Sequence, residues 1–160
     1  MSAYAMPVRY RMPFNFAQVI IAAFGAAVLC GFVFFVSEAA GASMRFSGGL
    51  FQNLDFIHIL RFTAPPILIL GLLTFVIGRA APRFCRIAQW LGVAVAVVSI
   101  IVPILFAEDV LSGIALALMH LIVGASWYLA VNNSNKKYND KEAAQALVSA
   151  TASHYGATRR

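Results

Sequence analysis

Four long apolar runs alternate with short polar segments along the chain, and that alternation predicts four helices long enough to cross a bilayer. The clearest run is Leu111–Val131, which contains no Asp, Glu, Lys or Arg. At ~1.5 Å per residue it reaches roughly 30 Å, the thickness of the hydrocarbon layer. The same reading places spans at 17–36, 57–77 and 87–106. The predicted fold class is all-α, a polytopic transmembrane four-helix bundle over residues 17–131. Only Ala107–Val110 separates spans three and four, so those two form an antiparallel hairpin. Residues 1–16 form a short N-terminal segment, and 132–160 a basic tail. Within the tail, 140–153 reads as a short helix with Ala144, Leu147 and Val148 on one stripe.

Composition supports this solvent assignment. Hydrophobic residues make up 61% of the chain and charged residues 11%, where a soluble domain carries about 25% charged. The net charge of +6 is a matter of topology, with no nucleic-acid partner implied. Arg9 and Arg11, then Arg79, Arg83 and Arg86, then Lys136, Lys137, Lys141, Arg159 and Arg160 all fall on one side. Arg45 and Arg61 fall on the other. The positive-inside rule then puts both termini in the cytoplasm. Trp90, Trp127 and Tyr128 land at that same face, as an aromatic belt. The first apolar run reaches spanning length with no clear cleavage site behind it, so no cleavable signal is expected.

Several residues shape the helices. Ala22/Ala26 and Ala27/Gly31 are small pairs four apart that allow close helix approach, inside the bundle or in a dimer. Pro65 and Pro66 remove amide donors from the carbonyls of Arg61 and Phe62 and predict a kink in span two. Pro103 does the same to the Ser99 carbonyl. The loop 37–56 is unusually apolar, with Phe46, Leu50, Phe51, Leu54 and Phe56, and is expected to lie on the membrane surface or to pack over the bundle mouth. Gly48 and Gly49 give it room to turn.

Candidate chemistry is sparse. Counting from the outer end of each span, Cys30, Thr63, Ser99 and His120 all lie roughly 9–14 Å deep. They form a polar layer with one member per helix. An ionisable ring at that depth needs a partner, and the Ser99 carbonyl is the expected acceptor for His120. This layer reads as a hydrogen-bonded helix fastener or as a ligand, quinone or proton site. Haem is disfavoured, because His58 sits at the interface and His120 about 12 Å deeper. No ligand cluster suggests a metal, and no cofactor is expected. Cys30 and Cys85 lie at opposite ends of the bundle, with Cys85 in a basic loop, so they are not expected to pair. A second group, Glu38, Asp55, His58, Arg61, Glu108 and Asp109, forms an outer rim. It reads as ion pairs that close the loop, or as a cation entry. No nucleophile elbow, phosphate loop or HExxH motif occurs, so no catalytic residue is assigned and an enzyme is not expected.

Ser99 with Pro103, followed by the run Ala117-Leu118-Met119-His120-Leu121-Ile122-Val123-Gly124, resembles an uncharacterised family of small four-helix bacterial membrane proteins, mostly actinobacterial. The resemblance implies a bacterial plasma membrane and a stand-alone or accessory role. The leading expectation is a non-enzymatic accessory or assembly subunit, for instance of a respiratory or envelope complex. Its partners would be the lipid bilayer and another membrane protein or a second copy. The alternative is a small carrier, or a quinone-, lipid- or proton-handling protein, built on His120 and the acidic rim.

Overall fold

A computed structural model describes residues 15–47, 52–81 and 83–157. Arg9, Arg11, Gly48, Gly49, Leu50, Phe51, Arg159 and Arg160 lie outside the described residues, as do the side chains of Arg83, Lys136, Lys137 and Lys141.

The fold is an all-α bundle. Its helices are α1 (Phe16–Ala39), α2 (Phe56–Ala80), α3 (Arg83–Ser99), α4 (Ile101–Phe106) and α5 (Val110–Ala157). Four segments are long and apolar enough to cross a membrane: Phe16–Ala39, Phe56–Ala80, Phe84–Phe106 and Val110–Asn133. α1 and α2 start where a side chain satisfies one of their first amides. Asn15 accepts from the N–H of Ala17 at 3.1 Å, and Asp55 from that of His58 at 2.9 Å.

The interior inverts the usual size pattern, as expected where lipid is the solvent. On α1, Ala23, Ala26, Ala27 and Gly31 are buried, while Phe24, Val28 and Phe32 are exposed. Of the two small-residue pairs, Ala26, Ala27 and Gly31 are buried inside the bundle and Ala22 is half-buried. There α1 packs along both α2 and α5. A Cβ on Gly71 of α2 would collide with the Val19 side chain, so this close approach requires glycine. α3 and α4 pack on α5, and α2 meets α3 along a shorter seam. α5 is thus the central post.

Three features differ from the sequence expectation. First, span three breaks at Ile100, between α3 and α4. The N–H of Ile100 turns back to the Val97 carbonyl at 3.2 Å, and Pro103 has no amide hydrogen for the Ser99 carbonyl. By contrast, α2 runs on through Pro65 and Pro66. Second, the tail is no separate short helix. α5 continues unbroken for 48 residues, and its last 24 or so extend about 36 Å past the apolar part. From Asn132 to Tyr155 there is no Gly or Pro to stop it, and Ala, Lys, Glu and Gln favour propagation. Third, Cys85 lies on α3 and not in a loop. It is buried in a core cluster with Trp127 and Val131, and both cysteines are free.

The segment after α1 folds back as a cap. Gly41 and Met44 adopt positive φ, 99° and 51°. Arg45 bridges to Asn53, and Phe46 to Ala107. Main-chain bonds from Ser47 N–H to the Phe106 carbonyl (2.9 Å) and from Glu108 N–H to the Arg45 carbonyl (3.0 Å) stitch this cap onto the α4–α5 turn.

Candidate functional site

A cleft of about 1160 Å³ opens between α2 and α3–α4, backed by α5. Phe46 and Leu54 of the cap roof its outer end. Ile69 and Leu73 of α2 stand on one lip, and Leu91, Val95 and Val102 of α3–α4 on the other. All five are more than half exposed, so the cleft opens sideways, toward the acyl chains. Among the described residues, α1 contributes no side chain to it.

The lining is apolar apart from Thr63, Ser99, His120 and Trp127. Each of their donor groups is bound to a main-chain carbonyl. Thr63 Oγ1 donates to Ile59 at 2.7 Å and Ser99 Oγ to Ala96 at 2.8 Å. Trp127 Nε1 donates to Ala88 at 3.0 Å. His120 Nδ1 lies 2.7 Å from the Leu116 carbonyl. A carbonyl can only accept, so Nδ1 carries a proton, and in the neutral ring Nε2 holds the lone pair.

This geometry corrects two expectations. His120 does not bond the Ser99 carbonyl, because the carbonyl one turn back on its own helix is already within reach. Thr63, Ser99 and His120 line the cleft. Cys30 does not line it but meets the same layer: it is fully buried on α1, with Sγ 3.8 Å from the Met119 carbonyl and within hydrogen-bonding reach of the Thr63 side chain. Trp127 is no belt residue either. It is 2% exposed and packs against Gly92, where a Cβ would overlap the indole. Trp90, 56% exposed, does face outward and stands edge-on to Tyr128, centroids 5.6 Å apart.

The outer rim is organised by hydrogen bonds more than by ion pairs. Asp109 caps α5, accepting from the N–H of Ser112 at 2.7 Å. Its other oxygen accepts from the hydroxyls of Ser112 and Ser43, both at 2.6 Å, and from the N–H of Ser43 at 3.1 Å. Ser112 Oγ in turn accepts from the N–H of Met44 at 2.9 Å. The hydroxyls of Ser112 and Ser43, with their amides, hold the Asp109 carboxyl well below the usual carboxylate range. Asp55 is also lowered, first by the His58 amide and then by the His58 ring at 2.8 Å. That contact is an ion pair when the ring is protonated. Glu38, Arg61 and Glu108 are exposed. Ser43, Ser112 and the main chain of Met44 were not singled out from the sequence. The spacing Asp109-Val-Leu-Ser112 at a helix start is the signal that would have found the first turn of this knot. Among the described residues, no three His, Cys, Asp or Glu side chains converge where a metal ion could sit.

Four apolar helices of spanning length around a laterally open cleft define a small multi-span membrane protein. The chain belongs to the Family of unknown function (DUF6069), which matches residues 10–137. Comparison with curated proteins and with solved structures gave no match.

Proposed function

We propose that this protein is a non-enzymatic membrane protein that takes an apolar, chain-bearing molecule from the bilayer into the cleft between α2 and α3–α4. The observation that carries this reading is the cleft itself, which is apolar, open toward lipid and backed by the half-buried His120. Its volume exceeds the roughly 300–1,000 Å³ of ordinary small-molecule sites and suits a long chain. The accessory-subunit reading drew on small-residue faces, and those are used within the bundle. The setting is a bacterial plasma membrane with both termini in the cytoplasm, which the distribution of Lys and Arg supports. No residue is given a catalytic role.

Protein in mild detergent, incubated with oleyl alcohol, should carry one added ligand mass by native mass spectrometry. Val95→Trp, which fills the mouth from an exposed lip, should remove it without lowering the melting temperature. Equal loading of both proteins would overturn the reading.

A further inference from the structure

Resting on the reading of the cleft as a ligand site, we infer that it selects molecules whose head group donates a hydrogen bond. The ligand class is a long apolar alcohol or phenol, in preference to the ketone, quinone or ether of the same skeleton.

Four lining side chains carry a polar hydrogen: Thr63, Ser99, His120 and Trp127. All four hydrogens are held by main-chain carbonyls, at 2.7 to 3.0 Å. Helical amides are likewise engaged, and Pro66 and Pro103, which also line the cleft, have none. What the wall offers is lone pairs: one on Nε2 of the neutral His120 ring, those remaining on Thr63 Oγ1 and Ser99 Oγ, and the carbonyls of Phe62 and Ser99, which Pro66 and Pro103 leave without an amide donor. No hydrogen bond to Nε2 is formed among the described residues. A head group that only accepts would have to take a hydrogen from an existing bond, and in an apolar wall the abandoned carbonyl is costly. A hydroxyl needs no such exchange. It donates to Nε2 and leaves every internal bond in place.

Of the side-chain acceptors His120 is the decisive one. An imidazole nitrogen is a stronger acceptor than an alcohol oxygen, and the bond to Leu116 fixes which nitrogen faces the ligand. The position is also suited to the task. His120 lies about 15 Å from the outer end of α5, so a head group placed there leaves the rest of the cleft, toward Leu91 and Trp127, for the chain.

The test compares oleyl alcohol, oleyl methyl ether and a methyl ketone of equal chain length in one detergent, by competition in native mass spectrometry. The alcohol should bind about tenfold tighter than the ether or ketone, the effect of one net hydrogen bond. His120→Phe should bring the alcohol down to the level of the ether and leave the ether unchanged. His120→Gln, whose amide can donate, should gain affinity for the ketone, which a purely structural role for the ring would not produce. In protein labelled with ¹⁵N-histidine, the Nε2 resonance should move with the alcohol and not with the ether. Equal binding of alcohol, ether and ketone would overturn the selection while leaving the cleft reading intact. Binding of none would overturn both. A preference that survives in His120→Phe would overturn the role given to His120.

Discussion

Ser43 Oγ donates a 2.6 Å hydrogen bond to the carboxylate of Asp109, joining the cap to the start of α5 across 66 positions of sequence. The same carboxylate closes the first turn of α5 through Ser112. One side chain thus serves as helix cap and as anchor of the loop that roofs the cleft. Asp109→Ala should release both, lowering the melting temperature by several degrees. It should also speed proteolysis between Ala42 and Asp55.

The pH dependence follows with a definite sign. The folded carboxyl titrates below its ordinary value of 3.8, so its contribution is complete above that value. It is lost as pH falls further, through the folded one. Wild-type protein should therefore lose thermal stability on acidification below about pH 4. Asp109→Asn should be less stable at neutral pH and show a flatter acid limb. Parallel limbs for the two proteins would contradict this assignment.

Gly92 and Trp127 make a second specific pair. A methyl group on Gly92 would overlap the indole, whose N–H is held by the Ala88 carbonyl. Gly92→Ala should cost about 1–3 kcal/mol, the usual effect of overpacking. Displacement of the indole should also shift its emission toward that of a more polar site. Gly25→Ala is the control. Nothing lies within 4 Å of a Cβ there, so the change should be neutral or slightly stabilising by helix propensity. Equal effects at both glycines would remove the packing explanation.

Much of the bundle could be read from the chain because one property, apolar length without charge, determines it. Leu111–Val131 lies wholly within the apolar part of α5, and Ile87–Phe106 within the third crossing segment. Depth along a helix was equally accessible, since it needs only a residue count, and Thr63, Ser99 and His120 do line one cleft. Direction around the helix was less accessible. Trp127 and Trp90 share a height, yet one is core and the other faces lipid. Hydrophobicity cannot separate those fates where both environments are apolar. The cleft could not be read at all, because it depends on how α2 and α3–α4 are set against α5, and no single residue encodes that. The end of α5 was hidden for the opposite reason. Its polar stretch has no apolar period, so helix propensity alone sustains it.

That stretch gives the last prediction. Residues 144–152 are exposed on every face of α5, so no tertiary contact straightens them, and persistence of the helix must come from its own backbone bonds. Spin labels at Asn133 and Ala152, in a Cys30→Ala, Cys85→Ala background, are separated by 19 residues. A continuous helix sets the backbone distance near 28 Å with a narrow distribution. A flexible chain of that length gives a comparable mean of roughly 24 Å, but a broad distribution. Width, more than mean, is therefore the discriminating quantity. Replacing Ala146 with Pro should break the i to i−4 ladder and broaden the distribution while leaving the membrane-crossing part, and its melting temperature, unchanged. A wild-type distribution already as broad as that of Ala146→Pro would show that α5 ends near Asn133.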